Sequence, residues 1–372
     1  CDWQIRLNFN FSSPRRVWSQ KIKRQAALKF FNAAFRADLA GGYVTFGSFL
    51  RHQGDNRGVM DAINEGAKLY EKLVDEFPKE PAYREDLSTA YGNRGNMERT
   101  LNMNDGARSS YEKAIAIRDQ LAKEFPTVTR HQARLATSFN NMGNLHRELG
   151  KHAEARDAYK RAIELQQTLV NGPQPVPEFR FDLGMTYGNL GRAQRELREN
   201  GAARKAFAQA IAILTAIADE FPQVLEYRFE LAGIQYFVGE FLVDLGEKHS
   251  AVTHLERARD NYQEISHKSP KNFSYLRSLA QSWSALGQTM AAMRDLEAAH
   301  KAFDESVQVH EKLILIPNVP TVSVYDAAGV CAMACAVVGE NAERKEYYAV
   351  RAMKLLHQAR DKGFFLGKAN IA

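Results

Sequence analysis

The sequence predicts an all-α solenoid of stacked antiparallel helix pairs, and three observations carry that prediction. The strings Glu76-Phe77-Pro78, Glu124-Phe125-Pro126 and Glu220-Phe221-Pro222 recur 48 and then 96 residues apart. Glycine keeps the same step at Gly47, Gly95, Gly143, Gly191, Gly239 and Gly287. Background glycine use of about 7% would give that arrangement with odds on the order of one in ten million. Leucine holds a third series at Leu39, Leu87, Leu135, Leu183, Leu231 and Leu279. Self-similarity at a fixed period marks a stacked architecture, in which one internal contact is rebuilt in every unit.

Each unit reads as helix, turn, helix, turn. From Tyr83 to Leu101 the residues Leu87, Ala90, Tyr91 and Gly95 recur at helical spacing and predict helix A. From Asp105 to Glu124 the residues Ala107, Tyr111, Ala114, Ile115 and Leu121 predict an amphipathic helix B. Pro78, Pro126 and Pro222 follow helix B and cannot continue it. Two aromatic slots keep the period, one at Phe35, Tyr83, His131, Phe179, Tyr227 and Tyr275, the other at Tyr111, Tyr159, Phe207, Leu255 and Phe303. A mid-helix glycine costs about 1 kcal/mol relative to alanine, so the glycine series must be offset by close contact. The alanines Ala107, Ala155, Ala203, Ala251 and Ala299 are expected to face it.

These slots divide the chain into about seven units, starting near residues 35, 83, 131, 179, 227, 275 and 322, within a solenoid over 35–365. A basic, aromatic flank occupies 1–34, with Arg15, Arg16, Lys21, Lys23 and Arg24 among Trp3, Phe11 and Trp18. It is expected to be a linker and capping helix, with an anionic membrane or nucleic acid as the alternative contact. A short tail, 366–372, follows the solenoid. The chain starts at Cys1 rather than Met, which suggests processing or a longer parent protein.

Composition removes several function classes. With 45% hydrophobic and 25% charged residues, no apolar run approaches the roughly 18 residues of a membrane span. A net charge of +6 favours acidic partners without the basic patch of a nucleic-acid binder. Three cysteines, Cys1, Cys331 and Cys335, are too few for a disulfide framework and suggest a reducing cytoplasm. Cys331 and Cys335 share a helix face, yet their apolar flanks offer no further metal ligand and predict core packing. His131 occupies an aromatic slot and is expected to be packed. No catalytic constellation stands out and no cofactor is implied, so the segment is read as a non-enzyme.

Asn141-Met142-Gly143-Asn144-Leu145, Leu149-Gly150, Ala155, Tyr159 and Ala162 resemble the tetratricopeptide repeat family almost slot for slot. That resemblance implies a right-handed superhelix whose A helices line a concave groove. The family unit is about 34 residues. The surplus here is about 14, divided as roughly two extra helical turns on each helix. Repeats of this length with Glu-Phe-Pro, ending at Gly363, look like the C-terminal repeat regions of large bacterial serine/threonine protein kinases. No kinase motif lies in the segment itself. A docking or regulatory arm of such a kinase is therefore the alternative to a free scaffold that binds peptide segments of other proteins.

Within the groove the resemblance points to the residues three before, one after and four after each repeat glycine. They lie about 150 to 180 degrees from the leucine slot. The candidate partner-binding residues are Asn96, Arg99, Asn140, Asn144, Arg147, Arg192, Arg195 and Tyr236. Arginine offers a planar pair of donors to a carboxylate, so this ladder suits an acidic peptide. Alternatively the arginines pair with neighbouring acids such as Glu98, Glu148 and Glu196. The later units are more apolar through Tyr236, Val243, Trp283 and Ala291.

Overall fold

A computed structural model describes residues 32–47, 49–51, 53–173, 176–316, 320, 322–337 and 342–361. Among these residues there are fourteen helices and no strand. The basic flank, apart from its last residues, and the 366–372 tail lie outside the described residues.

Backbone contacts gather the chain into two units, one through Leu149 and one from Gly150. The first contains α1 (helical residues 32–47 and 49–51), α2 (Asn56–Glu76), α3 (Pro81–Thr100), α4 (Asn104–Glu124) and α5 (Thr129–Glu148). The second contains α6 (His152–Val170), α7 (Pro177–Glu196), α8 (Asn200–Glu220), α9 (Leu225–Asp244), α10 (Lys248–Lys268), α11 (Phe273–Ala292), α12 (Leu296–Ile314), α13 (Val322–Val337) and α14 (Ala342–Asp361). Within each unit every helix packs on its chain neighbours, and successive odd-numbered helices, the A helices, also touch: α3 on α5, α7 on α9, α9 on α11 and α11 on α13.

The A-to-B turn is built alike in repeat after repeat. Gly54, Asn102, Gly150, Arg198, Gly246 and Arg294, all 48 apart, have positive φ between 57° and 79°. The following N–H closes back on the helix, Met103 to the Glu98 carbonyl and Glu199 to the Gln194 carbonyl at 2.8 Å, Glu247 to the Leu242 carbonyl at 2.9 Å. This pattern satisfies the orphan carbonyls of a helix end with a left-handed residue. Three of the six residues are not glycine, so packing of the hairpin holds a conformation that a free chain would avoid.

The Glu-Phe-Pro strings staple each helix B to the A helices on both sides of it in the chain. Phe77, Phe125 and Phe221 terminate helix B, and their rings lie 5.9, 5.9 and 6.3 Å from Tyr83, His131 and Tyr227 of the next helix A. The preceding glutamates accept from helix A arginines: Arg36 to Glu76 at 2.6 Å, Arg84 to Glu124 at 2.7 Å, Arg180 to Glu220 at 2.6 Å. His131 is packed, as its slot predicts, and burial lowers its pKa against the opposing pull of Glu85.

The glycine series makes a close contact, but with a different partner than the alanine series. A Cβ on Gly95 would stand 2.6 Å from the Tyr111 ring, on Gly191 2.7 Å from Phe207, on Gly239 2.6 Å from Leu255 and on Gly287 2.8 Å from Phe303. The large slot of helix B lies flat on the bare backbone of helix A. Each alanine is fully buried one turn earlier. Gly47 is looser, its nearest neighbour at 3.6 Å. In the first repeat the leucine and aromatic slots fall outside the core: Leu39 is 45% exposed and Phe35 66%.

Candidate functional site

The eight candidates, each three before, one after or four after a repeat glycine, stand on the A helices α3, α5, α7 and α9, and all are half-buried. Helical spacing alone puts those of one helix on one stripe. Their partners differ from repeat to repeat.

In the first unit Asn96 accepts a 2.7 Å hydrogen bond from the Tyr111 hydroxyl, which ties it to its own hairpin. Arg99 donates to Glu148 on α5 at 3.2 Å. This is a bridge between adjacent A helices with both partners half-exposed, worth at most about 1 kcal/mol. Asn140 and Asn144 are engaged with neighbours. Arg147 makes no hydrogen bond or ion pair among the described residues, and its buried Nε has no acceptor.

In the second unit Arg195 repeats the Arg99 arrangement two repeats further along the chain and pairs with Asp244 of α9. Arg192 stacks on the Phe237 ring, its guanidinium carbon 3.7 Å from the centroid. It also offsets in part the burial that raises the Glu230 pKa. Arg195 and Tyr236 come together with Val243, Gln288 and Lys248 around a pocket of about 390 Å³ between α7, α9, α10 and α11. Burial first, and then the neighbouring Glu240 carboxylate, which accepts its hydrogen bond, push the Tyr236 hydroxyl pKa up.

One residue that the stripe rule misses stands in the first unit. Arg118 belongs to helix B, α4, and only 8% of its surface is exposed. Its guanidinium enters the seam between α3 and α5. Nε donates to the Ser88 hydroxyl at 3.1 Å, Nη1 to the Arg134 carbonyl at 3.1 Å and the Ser138 hydroxyl at 2.5 Å, and Nη2 to the Ser88 carbonyl at 3.2 Å. Beside it the Glu85 carboxylate, buried, accepts from Arg134 at 2.7 Å and Arg130 at 3.0 Å. Burial chiefly, reinforced by Arg134, brings the Arg118 pKa down to about 10. The available signal was the slot itself: Tyr70, Arg118, Gln166, Leu214, Tyr262 and His310 are 48 apart, and Arg118 is its one permanent charge.

Cys331 and Cys335 pack in one apolar cluster with Val324, Tyr348 and Leu355. Burial raises the Cys331 thiol pKa to about 11. Among the described residues no group of three or more His, Cys, Asp or Glu side chains is placed to hold a metal. None of the described helices is long and apolar enough to cross a membrane.

Residues 136–169 match the tetratricopeptide repeat family. Two solved structures share the fold. One is BtubC (BKLC) from P. vanneervenii, 14% identical over 70% of this chain and 92% of that chain, with a TM-score of 0.50. The other is the apo form of RapI, 11% identical over 87% of this chain and 99% of that chain, also at 0.50. No curated protein matches the sequence. The chain therefore has a tetratricopeptide-like fold, the architecture of interaction scaffolds that present an extended binding surface.

Proposed function

We propose that this chain is a protein-interaction scaffold that holds peptide segments of partner proteins along the row of A helices. The observation that carries the reading is the pocket of about 390 Å³ in which Arg195 and Tyr236 meet. Its walls combine polar groups, the Arg195–Asp244 pair and Glu240 beside the Tyr236 hydroxyl, with the aliphatic Val243, Leu255 and Ala285, the mixture that fixes an extended peptide by orientation as well as burial. In the first unit Asn140, Asn144 and Arg147 supply a more polar surface, and Arg147 brings a cation head that pairs with no carboxylate among the described residues. The partner segment is acidic where it meets the arginines and apolar where it meets Tyr236 and Val243.

Charge reversal of Arg99, Arg147 and Arg195 together is expected to abolish retention of native partners in pull-downs, with the helical circular dichroism spectrum intact. Undiminished retention by the folded triple variant refutes the groove reading.

A second reading, a docking arm of a multidomain serine/threonine kinase, rests on the repeat length and the Glu-Phe-Pro strings. The staples account for those strings by packing alone. The coding sequence upstream of Cys1 tests this reading directly.

A further inference from the structure

Arg118 is a buried charge without a direct ion pair among the described residues: Glu85 acts on it from beyond ion-pair distance and is itself engaged by Arg130 and Arg134. A guanidinium carries five N–H donors, and four of them reach acceptors, all neutral: two hydroxyls and two backbone carbonyls. The fifth, on Nη2, has no acceptor among the described residues, and no carboxylate lies within ion-pair distance. Taking a cation out of water is costly unless an anion faces it. The fold does not require the cation either, because the same slot is filled by Leu214, fully buried, and by Gln166 and Tyr262 in later repeats.

The opening above Arg118 is also specific. A Cβ on Gly92 would stand 3.3 Å from Nη2, and Gly92 is the groove position three before Gly95, half-exposed. The absence of a side chain there leaves the guanidinium approachable from the groove. Asn140 occupies the corresponding position on α5. The nearby arginines Arg130 and Arg134 are both engaged by Glu85, so Arg118 is the cation left over.

We propose that Arg118 and Gly92 form a carboxylate-binding subsite in the floor of the first unit's groove, which takes an acidic side chain of a bound peptide. The inference rests on the groove being a peptide site, and it adds a helix B residue as the anchor. The carboxylate supplies a counter-charge in direct contact and the fifth acceptor, and the preset guanidinium loses little side-chain freedom on binding.

The test is fluorescence anisotropy of a labelled hexaglutamate peptide with the full chain, and a hexaglutamine peptide as the control. The wild-type chain is expected to prefer hexaglutamate. Arg118→Gln, which copies the natural residue of the next repeat, and Gly92→Ala, which covers Nη2 without removing charge, are each expected to weaken it by about tenfold or more. Melting curves verify folding, and Arg118→Leu serves if the glutamine variant is unstable. The side-chain Nε–H resonance of Arg118 is expected to shift on titration. Wild-type affinity in both variants, or no wild-type preference for hexaglutamate, overturns the subsite. If the subsite fails while the triple charge reversal still abolishes partner retention, the groove reading stands alone; if neither change has an effect, both fall.

Discussion

The seam between α3 and α5 and the seam between α7 and α9 are built from the same slots, yet one is filled by a cation and the other by hydrocarbon. In the first, Arg118 spans Ser88, Arg134 and Ser138. In the second, Leu214 lies fully buried with Leu231 and Ile234. The difference teaches that the repeat dictates where a helix B side chain enters the A-helix row but not what chemistry it brings. A stacked scaffold can therefore vary its seams one at a time, since each repeat contacts only its neighbours.

Exchanging the two residues should break the comparison asymmetrically, and this is the largest expected effect. Leu214→Arg buries a cation among aliphatic groups and is expected to cost about 3–5 kcal/mol. Arg118→Leu is expected to be neutral or stabilising by up to about 1 kcal/mol. Urea denaturation of both variants measures the pair. A large loss from Arg118→Leu would mean that the arginine is a structural keystone.

Next in size is the contrast between tight and loose hairpins. Gly191→Leu drives a side chain into the Phe207 ring and is expected to cost roughly 3 kcal/mol. Gly47→Ala meets only ordinary contacts and is expected to gain about 0.5–1 kcal/mol from helix propensity. Differential scanning calorimetry that shows equal shifts for both would remove the ring-on-glycine contact as the reason for the series.

The smallest effect separates the units by pH. In the second unit burial lowers the pKa values of His254, His300 and His310; in the first it lowers that of His131, with Glu85 pulling it back. A folded-state pKa below the unfolded value of about 6.5 means that unfolding takes up protons. Stability is full above about pH 6.5 and falls as pH drops from there toward the folded values. Hydrogen exchange at pH 7.5 and 5.5 is expected to show α10 to α12 losing protection before α3 to α5. His310→Gln should reduce that loss.

Much of this was legible in the sequence because a repeat writes its rules several times. Helix B of the second repeat, expected over Asp105 to Glu124, runs Asn104–Glu124, and its helix A, expected from Tyr83 to Leu101, runs Pro81–Thr100. Asn96 and Arg99 share a face of α3, and Arg192 and Arg195 a face of α7, because helical spacing alone sets it. What sequence reading assigned differently was the partner across the hairpin: alanine was expected against glycine, and the larger Tyr111, Phe207 and Phe303 reach it instead. The reach of a side chain across two helices is not written in periodicity.

Sequence by itself determined the period, the helix pairs, the turns and the face on which candidate residues stand, because each follows from local spacing and the need to cover one apolar stripe. Only the tertiary structure decided which cations are spent and which are available. Arg99 and Arg195 bridge acids 49 residues away, while Arg147 finds no such partner among the described residues. Arg118 crosses from helix B into a seam formed by two other helices. Those outcomes depend on distances between elements far apart in the chain, where a shift of a few ångströms separates an ion pair from an open charge.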